Sequence, residues 1–168
     1  MTGWLARVLA LSAAWFRATP PHFAEAGLRD ASSIAALHAA LFRRGWSEEE
    51  IERLLLDRAV LAHRAQIARR TVGFILSRRA ADEAEILSVA THSRVQGRGI
   101  GRGLLDLHLR RLAGLEVKAV FLEVDEHNAP ARKLYARAGF REVGRRPAYY
   151  AGESATPAAA MVLRRDLA

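Results

Sequence analysis

The chain contains no cysteine. Disulfides, thiolate metal sites and cysteine nucleophiles are thereby excluded, and the absence fits a reducing compartment, here expected to be the cytoplasm. Lysine is scarce: almost all of the 26 basic side chains are arginine, set against 18 acidic ones, for a net charge of +8. A basic balance favours anionic partners in general, whether nucleic acid, a membrane surface or a phosphorylated small molecule. An arginine- and alanine-rich composition also follows from a GC-rich genome, so charge alone selects none of these. No apolar run is long enough to span a bilayer: residues 1–16 are apolar apart from Arg7 but fall far short. His22, His38, His63, His92, His108 and His127 show no H-E-x-x-H spacing, and no metal site is expected. There is no G-x-S-x-G elbow either. With no cysteine, a covalent acyl-enzyme is not expected. Internal repeats and low-complexity tracts are absent.

At 168 residues the chain suits one domain. Residues 1–21 read as a leader. No charged side chain precedes Trp4, which argues against a secretory signal, and Trp4, Leu5, Val8, Leu11 and Trp15 recur at helical spacing. A short amphipathic helix ended by Thr19-Pro20-Pro21 is expected, without stable membrane insertion. Residues 22–168 are expected to form a single domain. A strand is expected over 22–28, then a helix capped by Asp30 and running to about Phe42. Ser47 and Glu50 have capping-box spacing for a second helix to Leu56. Strands are expected over 60–68, 71–77 and 85–91, a helix over 104–112, and a buried strand over 117–124. Asn128, Pro130 and Gly139 punctuate a further helix, and strands over 140–143 and 158–163 close the order β-α-α-β-β-β-α-β-α-β-β. That order is mixed α/β in one layered domain.

The segment from Leu87 to Arg102 carries the first chemistry. A strand ends, and glycines Gly97, Gly99 and Gly101 run into a helix. Glycine lets backbone N–H groups approach a ligand, and the first helical turn leaves its N–H groups unpaired at the positive end of the dipole. Together they suit a pyrophosphate, with Arg98 and Arg102 adding charge. The spacing is not that of a nucleotide P-loop, and Arg102 stands where a dinucleotide fingerprint needs its third glycine. A tight turn with no ligand remains the alternative on these residues alone.

The second cluster runs from Phe121 to Phe140. Glu123 stands in an apolar strand between Leu122 and Val124. If buried, its carboxyl is raised toward neutrality, as a general base requires; if the strand is half-exposed, Glu123 faces outward and is ordinary. Tyr135 falls in mid-helix, as a core aromatic or as a proton donor to a leaving group.

Gln96-x-x-Gly99-x-Gly101 resembles the Q/R-x-x-G-x-G/A signature of the GNAT N-acetyltransferases. The run Leu122, Glu123, Val124, Asn128, Ala131, Leu134, Tyr135, Gly139 and Phe140 resembles, without a gap, the RimI branch of that family, which acetylates N-terminal alanines of ribosomal proteins. The resemblance extends from about Phe23 to Leu163. It implies a mostly antiparallel sheet, splayed between two parallel strands and flanked by helices. It implies acetyl-CoA as co-substrate, held at Val89, Ala90, Thr91, Gln96, Gly97, Arg98, Gly99, Ile100, Gly101, Arg102 and Asn128. It implies Glu123 as proton acceptor and Tyr135 as proton donor, with Trp46, Tyr149 and Tyr150 on the acceptor side. It further implies direct transfer in a ternary complex to a protein or peptide acceptor with a free N-terminus, such as a ribosomal protein, by a monomer or weak dimer. Thr91 and Ser93 depart from the family's usual valine and proline. The rival acceptors are a lysine side chain, an aminoglycoside or a polyamine. A basic RNA-binding module is the rival of another class: paired arginines such as Arg110-Arg111 suggest it, but no aromatic interleaving supports it, so no specific nucleic acid is expected.

Overall fold

A computed structural model describes residues 19–146 and 159–167; the leader helix expected over residues 1–16 lies outside them, as do Tyr149 and Tyr150. Strand β1 (His22–Glu25) is followed by a single 3-10 turn and helices α1 (Ala31–Leu41) and α2 (Glu48–Leu56). Strands β2 (Val60–Ile67), β3 (Arg70–Ala80) and β4 (Glu83–Thr91) come next, then α3 (Ile100–Ala113), β5 (Ala119–Asp125), α4 (Ala129–Arg137), β6 (Arg141–Arg146) and β7 (Ala160–Asp166). The strands form one sheet in the order β1-β2-β3-β4-β5-β7-β6. Every neighbouring pair is antiparallel except β4 and β5. The order and the mixed sheet agree with the sequence reading.

Local chemistry sets the helix ends. Ser47 Oγ accepts from the Glu50 N–H at 3.2 Å and Glu50 Oε2 from the Ser47 N–H at 2.8 Å, completing the capping box. Asn128 Oδ1 accepts from the Ala131 N–H at 3.2 Å. Asp30 differs from expectation: its side chain makes no cap bond. Oδ2 instead accepts from the Gly27 N–H, and Oδ1 lies 2.7 Å from Arg64 Nε in a buried ion pair that ties α1 to β2. The nearby charge outcompetes the local cap. The first strand also stops at Glu25, three residues early, because the chain turns into the 3-10 turn Leu28–Asp30. Arg79 and Ala80, expected in a loop, extend β3.

Two cores lie on opposite faces. Ile34, Leu37 and Ile51 of α1 and α2 pack with Phe74 and Leu76 of β3. Leu104, Leu105, Leu109 and Leu112 of α3 pack with Ile75, Ile86, Val120 and Leu122, and Tyr135 and Phe140 complete that core. Glycine sets how closely α3 lies on β1: a Cβ at Gly103 would fall 2.5 Å from Phe23 Cζ. Gly103→Ala is therefore expected to cost about 1–3 kcal/mol of stability through overpacking, read as a lower urea midpoint with an unchanged slope.

A bulge in β4 controls which side chains face which core. Leu76 pairs with Ser88 and Ser77 with Ile86, leaving Leu87 without a partner. One extra residue flips the facing of everything after it. Ala84 and Ile86 belong to the α3 core, whereas beyond the bulge Val89 packs on that core and Ala90 joins the α1 core.

Candidate active site

Strands β4 and β5 pair over only Glu83–Ile86 and Ala119–Leu122. β4 continues to Thr91 and β5 to Asp125 without pairing to each other. The sheet therefore opens into a wedge at the C-terminal ends of its two parallel strands, beginning at the bulged Leu87. Val89, Ala90 and Thr91 form one wall, with backbone groups on the wedge side that no strand claims.

The glycine loop closes the top of that wall. Gln96 Nε2 reaches the Thr91 carbonyl at 3.5 Å, and a 3-10 turn at Ser93–Val95 leads into the glycines. Gly97 has φ +77° and Gly99, the cap of α3, has φ +75°. Both values favour glycine, and the space where each Cβ would stand is open to 4 Å. The helix starts at Ile100, four residues earlier than expected, so Ile100, Gly101 and Arg102 supply its first-turn N–H groups. Gly101 lies against Leu134 of α4 and Thr91 of β4, its built Cβ 3.5 and 3.7 Å from them, which brings loop, strand and α4 together. The two arginines are committed elsewhere: Arg98 Nη2 donates to the Thr19 carbonyl at 3.1 Å, and Arg102 Nε lies 3.5 Å from Asp106. Anion binding here thus rests first on backbone N–H groups and the helix dipole, and the arginines contribute through their field.

Glu123 and Tyr135 lie on opposite sides of the sheet. Leu122 and Val124 enter the core that holds Tyr135, so strand alternation turns Glu123 to the other face. Burial of Glu123 is not what the fold provides: its side chain is 37% exposed, and Oε1 meets Arg146 Nε at 3.0 Å. Alternation of a strand covered on one face explains this; the flanking apolar residues point inward while Glu123 points outward. Tyr135 is 4% exposed, edge-on to Phe140 at 5.7 Å between centroids. Burial pushes its phenol up to about 12, so it stays protonated at neutral pH. Asn128, exposed, spends its side-chain oxygen on the α4 cap.

On Glu123's face a cavity of about 360 Å³ is walled by Trp46, Leu54, Glu85, Leu87 and Glu123. Trp46 is held in place by His38, whose Nδ1 accepts the Trp46 N–H at 3.1 Å and whose ring stacks on the indole at 4.4 Å. Burial lowers the His38 pKa, which keeps that acceptor nitrogen free of a proton. The structure thus unites Trp46 with Glu123, and Thr91 with the glycine loop. Sequence reasoning missed Glu85, the bulge at Leu87 and Arg146. An alternating Glu83-Ala-Glu85-Ile marked a half-exposed strand, but only pairing reveals where β4 leaves β5.

An open wedge between two parallel strands, with a glycine-capped helix at its mouth, defines the class. Residues 31–140 match the Acetyltransferase (GNAT) family, and the chain belongs to it. The chain is similar to the [ribosomal protein bS18]-alanine N-acetyltransferases of Haemophilus influenzae, 38% identical over 79 residues, and Salmonella typhimurium, 36% over 81. These matches cover 47% and 48% of this chain and 53% and 55% of the relatives, about half of their length. It is also 37% identical over 83 residues to the mycothiol acetyltransferase of Mycobacteroides abscessus, covering 48% of this chain and 28% of that one. The ribosomal-protein-S18-alanine N-acetyltransferase structure from Escherichia coli superimposes with a TM-score of 0.80 at 22% identity, covering 88% of this chain and 94% of that one. Arabidopsis thaliana NAA60, solved with acetyl-CoA, gives 0.75 at 18%, covering 88% and 98%. The fold is thus the GNAT fold.

Proposed function

We propose that this enzyme uses acetyl-CoA to acetylate the α-amine of a protein N-terminus, an alanine of a small-subunit ribosomal protein, in the cytoplasm. The observation that carries the reading is the disposition of the wedge. Glu123 borders a cavity on one face, while Tyr135 lies on the face of the glycine loop. The names of the two [ribosomal protein bS18]-alanine N-acetyltransferase relatives support the choice of acceptor.

Acetyl-CoA supplies the acetyl thioester. The first-turn N–H groups of Ile100, Gly101 and Arg102, with Gln96, Gly97, Arg98 and Gly99, suit its pyrophosphate. The free edge of Val89, Ala90 and Thr91 suits its amide-bearing arm, with Asn128 opposite. In this reading Glu123 takes the proton of the acceptor ammonium, directly or through water. The amine nitrogen bonds to the acetyl carbon, the carbon–sulfur bond breaks, and Tyr135 gives its proton to the departing sulfur. The second proton on the acylated nitrogen passes through water to the Tyr135 phenolate, and the proton on Glu123 is released to solvent. Holding both substrates in one wedge supplies rate through proximity.

The test is thiol release from acetyl-CoA with a peptide bearing a free N-terminal alanine, beside a peptide with a blocked N-terminus and an internal lysine. Turnover with the first alone is expected. Turnover only with the lysine peptide removes the α-amine assignment while keeping the acetyl transfer.

A further inference from the structure

Most charges at the cavity mouth are matched. Glu123 meets Arg146 at 3.0 Å, and Arg78, which also lines the cavity, meets Asp57 at 3.5 Å. Glu85 lines the same cavity, yet its carboxylate has no hydrogen bond or ion pair among the described residues. Its cross-strand neighbour is Arg78, and that guanidinium is turned to Asp57. An exposed carboxylate on a pocket wall, beside an arginine committed elsewhere, is available to an incoming cation.

Its position relative to the reacting centre follows from the register. Glu85 pairs with Phe121, and Glu123 lies two residues further along the adjacent strand on the same face. Strand spacing and rise put their Cα atoms roughly 8 Å apart. Two residues of extended peptide reach roughly 7 Å, and the length of a basic side chain covers the remainder. The chain's net charge of +8 repels a basic acceptor at long range. A local, unmatched carboxylate is what makes a cationic acceptor acceptable at this one place.

We propose that Glu85 is a specificity-determining residue, selecting acceptors with a positively charged side chain one or two residues after the reacting amine. The inference rests on the cavity being the acceptor side, as proposed above. Glu123 serves the amine itself, and Glu85 serves the residue that follows.

The test is calorimetric titration of the CoA-loaded protein with two amidated peptides, Ala-Arg-Ala-Ala and Ala-Gln-Ala-Ala. Wild type is expected to bind the arginine peptide about five- to tenfold more tightly, the range for a partly exposed charge pair. The preference is expected to shrink as salt is raised. Glu85→Gln is expected to erase it, and Glu85→Arg to transfer it to Ala-Glu-Ala-Ala. Urea midpoints of the variants verify that each is folded. Equal binding of the two peptides by wild type, or a preference that survives Glu85→Gln, overturns the proposal and leaves the α-amine reading standing. A preference that depends on Glu85 without acetyl transfer to either peptide supports the subsite and removes the α-amine reading. Failure of both peptides to bind overturns both.

Discussion

Glu123→Gln is expected to lower kcat by about 10²- to 10⁴-fold, the usual contribution of a positioned proton acceptor, while leaving the KM for acetyl-CoA little changed. Glutamine keeps the shape and still accepts a hydrogen bond from Arg146, while the negative charge and the capacity to take a proton are lost. The side chain stands at the wedge, on the cavity face, where the proposed reaction brings the acceptor ammonium. Tyr135→Phe is expected to lower kcat as well, by removing the proposed proton donor to the leaving sulfur from the opposite face. Its buried phenol, pushed up to about 12, stays protonated, so the wild-type rate has no alkaline limb from this group near neutrality. Initial rates of thiol release across pH, for both variants and wild type, measure these effects. A kcat within about threefold of wild type for Glu123→Gln would mean that the ammonium proton leaves by another route.

Mild acid is expected to destabilise the fold through a second group of residues, far apart in the chain. His63 Nδ1 lies 2.8 Å from His108 Nδ1, and His108 Nε2 lies 2.7 Å from Ser77 Oγ, all buried among β2, β3 and α3. With both rings neutral, every contact has one donor and one acceptor: whichever histidine carries its proton on Nδ1, the serine hydroxyl completes the chain. Protonating one ring puts a charge in this buried site, and protonating both sets two Nδ1–H groups against each other. Burial first, and then the His63 ring, lowers the His108 pKa to about 3; burial also lowers that of His63, with Glu25 opposing and Arg111 assisting.

Because the folded His108 pKa lies below the unfolded value of 6.5, the unfolded chain binds the extra proton as pH falls. The stabilisation is complete above pH 6.5 or so, declines below it, and is exhausted near the folded value. By pH 5 the loss from His108 alone is about 2 kcal/mol, and by pH 3 about 4–5 kcal/mol. Urea unfolding between about pH 7.5 and 5 measures it. A His63→Phe, His108→Leu double variant, which removes both ring partners together, is expected to flatten that dependence. An identical decline in wild type and variant would assign the acid sensitivity to other groups.

Much of the local structure was legible because it depends on neighbours in sequence. Ser47 and Glu50 cap α2 three residues apart, and Asn128 caps α4 through Ala131. Gly97 and Gly99 take positive φ where a strand must turn into a helix. Failures came where distant charge or packing decided. Asp30 had the composition of a cap but turned its carboxylate to Arg64, whose position is known only once β2 lies beside α1. Ile100 and Gly101 read as loop, because the propensity of glycine argued against helix; packing of α3 on β3 and β4 overrode it.

The sequence by itself determined the order of elements and the glycine-capped helix, since each is a short-range pattern with a local physical cause. Only the tertiary structure decided what those residues face. Strand alternation put Glu123 outward toward Arg146 and Tyr135 inward. The bulge at Leu87 and the parting of β4 from β5 made the wedge between them. His63 and His108 met across 45 positions. Each outcome depends on register between strands or on packing of a helix against a sheet, and a period-2 or period-3.6 pattern specifies a buried face without specifying what lies opposite it.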